Sequence, residues 1–167
     1  LIGVSPADWD ICTTATPKQT EKIFQHYYQQ SQGKRYGTIT VWIENIPLEI
    51  TTFRKEANYQ NSRHPQEIMF TKSLISDLQR RDFTINSIFY HLQQGIIDPY
   101  YGTEDLRKGV IKTVGNPQEK LVEDSLRILR GLRFAAKLGY TIEKETALAM
   151  KKNSPLLKKI STERVGQ

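Results

Sequence analysis

Pro6-Ala7-Asp8-Trp9-Asp10-Ile11-Cys12-Thr13-Thr14-Ala15-Thr16-Pro17 sets two carboxylates one residue apart, with Trp9 between them and an apolar residue straight after. Side chains alternate along a strand, so Asp8 and Asp10 share one face while Trp9 and Ile11 take the other. Like charges at that spacing repel, and a divalent cation between them turns the repulsion into a binding site. The plainer reading is a solvated turn carrying two surface charges. The next residues favour a strand, because Thr16-Pro17-Lys18-Gln19 is a helix start. It has a threonine cap, proline at the first helical position and glutamine three residues after the cap.

Working outward, the helix is expected to run to about Gln30, burying Ile23, Phe24, Tyr27 and Tyr28, with Gly33 ending it. Thr38-Ile39-Thr40-Val41-Trp42-Ile43-Glu44 and Leu48-Glu49-Ile50-Thr51-Thr52-Phe53 each alternate as half-buried strands around Asn45 to Pro47. That predicts a hairpin beside the carboxylate strand, hence an antiparallel or mixed sheet. Glu49 faces away from its apolar neighbours, and a third carboxylate there would complete an oxygen-rich site for Mg²⁺. As a bland alternative, Glu49 is an outward polar residue of a half-exposed strand.

Residues 54–70 are polar and without period, which reads as a long loop. A short helix is expected around Leu74 to Leu78. Asp82 then reads as the cap of a helix with Ile85, Ile88, Phe89 and Leu92 on its apolar face. Short strands are expected near Gly95 to Tyr101 and Ile111 to Val114. From about Pro117 the pattern is helical to the end, with breaks at Gly139 and near Ser154-Pro155. The fold class is therefore α+β: a mixed, partly antiparallel sheet with flanking helices, followed by an all-α region. The expected division is residues 1–115 and 116–167.

The chain has 167 residues, 38% hydrophobic and 25% charged, an ordinary globular composition. No apolar run approaches bilayer length. The single cysteine, Cys12, packs as a small apolar residue and cannot form an internal disulfide, which fits a reducing, cytoplasmic setting. A net charge of +6 suits a polyanionic partner. The first residues lack Met and the last carry no helix stop, so the chain reads as an internal portion of something longer.

Glu123-Asp124-Ser125-Leu126-Arg127-Ile128-Leu129-Arg130-Gly131-Leu132-Arg133 is the most informative segment. As one helix it gathers Leu121, Val122, Leu129, Leu132 and Ala136 on one side. Asp124, Arg127, Arg130 and Arg133 form a stripe across the other, with Gly131 leaving room for something flat. A solvated face explains most charge stripes. Three arginines without lysine beside one aspartate suit planar recognition better. Cytosine and adenine both present an amine donor beside a ring-nitrogen acceptor, which Asp124 and Arg127 could read, while guanine and uracil reverse that order. Arg80-Arg81-Asp82-Phe83-Thr84-Ile85-Asn86 sets further cations at a helix start, where anions are favoured. His64 reads as an exposed loop residue, and Asp98-Pro99 as a structural turn.

Several of these segments together resemble the class II tRNA nucleotidyltransferases, the family of CCA-adding enzymes and bacterial poly(A) polymerases. The resemblance rests on Asp8-Trp9-Asp10-Ile11 with Thr16-Pro17, then Thr52-Phe53-Arg54, Arg63-His64-Pro65 and Asp77-Leu78-Gln79-Arg80-Arg81-Asp82-Phe83-Thr84-Ile85-Asn86. It continues through Ile97-Asp98-Pro99, Glu123-Asp124 with Arg127 and Arg130, and Arg133-Phe134-Ala135. It implies a nucleotidyltransferase head over 1–115, lacking the family's preceding glycine-rich segment, and the start of a helical neck over 116–167. It also implies addition of C, C and A to the tRNA 3′ end from CTP and ATP. Asp8 and Asp10 would hold Mg²⁺, with Glu49 a possible third carboxylate. Arg81, with Arg80, Asp82 and Asn86, would bind the incoming nucleotide, Asp124 and Arg127 would read its base, and Arg130 and Arg133 would complete the pocket. The family's mobile loop, bearing on the switch from C to A addition, matches Arg54 to Phe70. Rival readings are a poly(A) polymerase, an enzyme adding part of CCA, and a non-catalytic RNA-binding remnant. If residues 1–167 are the whole polypeptide, activity is expected to be weak or absent.

Overall fold

The computed structural model describes residues 3, 9–60 and 64–159. Two compact units are present: Leu1–Ala57 with Glu67–Asp77, and Asn58–Gln66 with Leu78–Gln167.

In the first unit, strand β1 (Asp10–Thr13) leads into helix α1 (Pro17–Ile23) through the expected capping box. Thr16 Oγ1 accepts from the Gln19 amide at 3.4 Å and Gln19 Oε1 accepts from the Thr16 amide at 2.8 Å. Strands β2 (Tyr28–Gln30), β3 (Thr38–Ile43) and β4 (Ile46–Thr52) complete a sheet of order β1-β4-β3-β2. β1 runs parallel to β4, while β3 is antiparallel to both β4 and β2. The sheet is mixed, as the hairpin pattern predicts. Its inner face buries Ile39, Val41 and Ile50, with Phe24 and Ile43 packed against them. Thr52 Oγ1 donates to the Ala15 carbonyl at 2.7 Å and the Phe53 amide to that of Thr13 at 2.8 Å, fixing the chain between β1 and α1.

α1 is shorter than expected. It stops at Ile23, and Gln29 Nε2 donates to the carbonyls of Glu21 and Phe24 at 3.1 and 2.6 Å, satisfying acceptors at its end. Tyr28–Gln30 is an edge strand instead, and Ile23, Tyr27 and Tyr28 are exposed rather than buried. The expected loop over 54–70 is likewise two strands, β5 (Arg54–Gln60) and β6 (His64–Phe70), which pair with each other. The Arg54 amide donates to Asp77 Oδ1 at 3.0 Å, its guanidinium pairs with Glu56 at 2.7 Å, and it also reaches the Tyr36 carbonyl.

Helix α2 (Leu74–Gln79) is where expected. In the second unit Asp82 caps no helix. A single 3-10 turn (Thr84–Asn86) is followed by β7 (Phe89–His91), which pairs with β8 (Gly95–Ile97), and Leu92 is exposed. Helix α3 (Gly102–Lys108) starts against that turn. Asp98, the expected structural turn, accepts from the Gly102 and Thr103 amides at 2.8 Å each. Burial raises the Asp98 pKa, and the bonds from Thr103 and Gly102 outweigh that and leave it below its ordinary value.

β9 (Val110–Ile111), α4 (Pro117–Glu123), α5 (Leu126–Leu138), β10 (Thr141–Ile142) and α6 (Lys144–Asn153) follow, then a closing 3-10 segment, Ser154–Lys159. The break at Gly139 is there, but a strand follows it: β10 pairs parallel with β9, so this region is not all helix. The core here is Phe83, Ile111, Leu121, Ile128, Ala149 and Met150. Gly131 belongs to it, contrary to its expected place on the polar side. A Cβ there would meet Met150 Cε at 2.4 Å and Phe83 Cζ at 2.8 Å, so the glycine lets the Phe83 ring reach α5. Val122, Leu132 and Ala136, expected inside, are exposed.

Candidate active site

The first unit supplies the carboxylates. Asp10 on β1 is the register partner of Glu49 on β4, and Glu49 that of Thr40 on β3. Alternation turns Ile50, Ile39 and Val41 into the core and leaves Asp10 and Glu49 side by side on the open face, both exposed. Neighbouring strands lie about 5 Å apart, a spacing at which two like charges repel and one cation relieves both. The pair therefore fits a hard divalent ion held by oxygen ligands. Asp8 lies outside the described residues. Among the described residues no group of three or more histidine, cysteine or carboxylate side chains surrounds one point.

The second unit gathers the predicted nucleotide-binding residues. Asp82 is buried, at 7% exposure, and its two oxygens are divided. Oδ1 accepts from the Phe83 amide at 2.8 Å and from Asn86 Nδ2 at 3.0 Å, while Oδ2 accepts from Arg130 Nε at 2.6 Å. Arg81 Nη1 donates to the Asn86 carbonyl at 3.0 Å, and its guanidinium lies 4.7 Å from the Phe89 ring centroid. Asp82, Asn86, Arg81 and Arg130 thus form one cluster across 48 residues of sequence.

Asp124 is not on α5. It lies in the break between α4 and α5 in extended conformation (φ −143°, ψ 105°), and its Oδ1 accepts from the Leu126 amide at 3.0 Å. Arg127 is on the buried side of α5, at 6% exposure. Its Nη1 donates to the Lys120 carbonyl at 2.8 Å and to Glu123 Oε2 at 2.6 Å, and its Nη2 to the Arg80 carbonyl at 3.1 Å. It therefore ties α4 and α5 to the segment carrying Arg81 and Asp82. Arg130 and Arg133 lie 5.4 and 5.7 Å from the Phe134 ring centroid, with Arg133 exposed.

Glu123 is the partner that sequence reasoning missed, although its i,i+4 spacing to Arg127 offered the signal. Gly102 and Asp105 were missed too. Thr84 Oγ1 donates to Asp105 Oδ2 at 2.6 Å, holding the Thr84–Asn86 turn against α3. No local pattern announces that pairing.

Replacing Arg127 by methionine keeps the bulk but strands the buried Lys120 carbonyl and the Arg80 carbonyl, and leaves Glu123 with Lys120 as its remaining ion-pair partner. The expected cost is about 3 kcal/mol, read as a lower urea midpoint with unchanged m-value.

A mixed sheet with two carboxylates side by side on its open face, and a second unit in which Arg81 and Arg130 are held by Asn86 and Asp82, make an α+β protein. Residues 1–112 match the poly A polymerase head domain, and residues 139–167 match the probable RNA and SrmB-binding site of polymerase A. The chain belongs to the poly A polymerase head-domain family. It is 46% identical over 158 residues to a CCA-adding enzyme of Enterococcus faecalis, covering 95% of this chain and 38% of that protein. It is 43% identical over 157 residues to the CCA-adding enzyme of Bacillus subtilis, covering 94% of this chain and 39% of that one. Among solved structures, that of the Bacillus stearothermophilus CCA-adding enzyme in complex with CTP superposes with a TM-score of 0.88 at 36% identity, covering 98% of this chain and 39% of that one. The chain spans about two fifths of the length of the curated relatives it matches.

Proposed function

We propose that the protein carrying this chain adds C, C and A to the 3′ end of tRNA from CTP and ATP. The RNA 3′-hydroxyl oxygen bonds to the α-phosphorus, the bond from that phosphorus to the bridging oxygen breaks, pyrophosphate leaves, and the hydroxyl proton passes to solvent. The observation that carries this reading is the exposed Asp10–Glu49 pair at one register of the sheet. Asp8 and Asp10 would hold Mg²⁺, with Glu49 as a third carboxylate. When bound, such an ion neutralises triphosphate charge and lowers the pKa of the attacking hydroxyl.

The chain's other residues bind and orient. Arg81 and Arg130 are cations already aimed by Asn86 and Asp82, so little ordering cost remains when phosphates arrive. Asp124 and Arg127 would read the amine-beside-acceptor edge shared by cytosine and adenine, with Arg133 closing the pocket. Residues 1–115 would be the head and 116–167 the start of the neck, in a cytoplasmic protein. No described helix is long and apolar enough to cross a membrane.

A second reading, poly(A) addition, is favoured by the family match itself. Product length separates the two. With tRNA lacking its CCA end, Mg²⁺, CTP and ATP, growth by three nucleotides is expected. A ladder of adenosines supports the second reading, and failure to use CTP rules out the first.

A further inference from the structure

The open face of the four-stranded sheet carries a second row of side chains, to which the reading above gives no role. Tyr28 on β2 is the register partner of Trp42 on β3, and Trp42 that of Pro47 on β4. Alternation places all three on the face of Asp10 and Glu49. The adjacent row is Gln30, Thr40, Glu49 and Asp10, again partner to partner across the four strands. Residues two apart along a strand are about 7 Å apart, so the aromatic row is one step from the carboxylates.

The Tyr28 and Trp42 rings lie with centroids 6.3 Å apart at 50°. Tyr28 is 66% exposed, at the sheet's edge. A cross-strand aromatic pair stabilises a sheet, but that role does not need a ring left mostly in water beside a charged row. An exposed aromatic ring flanked by the amide of Gln30 and the hydroxyl of Thr40 suits a nucleic-acid base, since every base has a face to stack. The base of the incoming nucleotide has its own candidate residues, Asp124 and Arg127, which leaves this face for the base of the RNA's terminal nucleotide.

We propose that Tyr28 and Trp42 form a stacking platform for the base of the RNA nucleotide whose 3′-hydroxyl meets the Asp10–Glu49 row. This rests on the nucleotidyl-transfer reading for its occupant. Stacking is worth about 5- to 150-fold in affinity per base.

The test is equilibrium binding of fluorescently labelled tRNA lacking CCA by the complete protein, without CTP or ATP, so that it does not depend on activity. The same tRNA with an abasic terminal nucleotide completes a cycle with Tyr28→Ala and Trp42→Ala. Loss of the base is expected to weaken wild-type binding about tenfold and to make no further difference in either variant. Tyr28→Phe should bind like wild type, because the ring is kept. Losses that simply add, or an unchanged affinity in Tyr28→Ala with unchanged thermal unfolding, would overturn the platform. A change confined to sedimentation would do the same, marking the face as a protein contact. Extension by the wild-type protein tests the transfer reaction separately, so the two ideas can fail independently.

Discussion

Gly102→Ala is expected to destabilise the protein by about 3 kcal/mol or more, among the largest effects of any single methyl group in this chain. A Cβ at Gly102 would lie 2.1 Å from the Thr84 carbonyl oxygen, 2.7 Å from its carbon and 2.9 Å from Ile88 Cγ1. Two of these are backbone atoms that no rotamer change can move. α3 must therefore retreat from the Thr84–Asn86 turn, breaking the 2.6 Å bond from Thr84 to Asp105 and pulling on Asn86, which donates to Asp82. Denaturant unfolding measures the loss. Tyr101→Gly is the control. Tyr101 holds φ 59° without being glycine and is exposed, so removing its side chain relieves backbone strain and should be neutral or mildly stabilising. If Gly102→Ala and Tyr101→Gly behave alike, the close approach of α3 to the turn is not what holds this region.

The physical reasons for what could and could not be read from sequence differ by element. The capping box at Thr16 and the alternation of β3 and β4 are local signals, and local hydrogen bonding and burial realise them directly. The end of α1 depends on Gln29 reaching back to two carbonyls and on β2 finding an edge of β3, neither of which leaves a glycine or proline as a mark. Arg54–Gln60 and His64–Phe70 pair with each other as strands, and their polar, aperiodic composition hides that pairing.

The site residues show the same division. Treating 124–133 as one helix put Asp124 in phase with the arginines and Gly131 among them. Asp124 is instead extended, and Gly131 faces Phe83, a contact between residues 48 positions apart that no wheel contains. Asp82 looks like a cap because aspartate before a polar turn usually is one, yet its second oxygen is taken by Arg130. The carboxylate row was legible because strand alternation is enforced by the backbone itself.

Asp10 carries the second large effect. Its carboxylate and that of Glu49 stand at one register on parallel strands, exposed, while Ile50, next to Glu49, packs with Ile39 and Val41 in the core. Asp10→Ala should leave that core intact, because the side chain faces solvent, so thermal unfolding should hardly change. A cation's stabilisation of developing charge is worth several kcal/mol, or about a thousandfold in rate. The most direct measurement is the single-turnover rate at which the complete protein joins the first cytidylate to tRNA lacking CCA, in Mg²⁺, wild type against Asp10→Ala. A folded variant slowed by about a thousandfold is the expected result. A folded variant that extends the RNA within tenfold of the wild-type rate would contradict a carboxylate-held metal at this sheet.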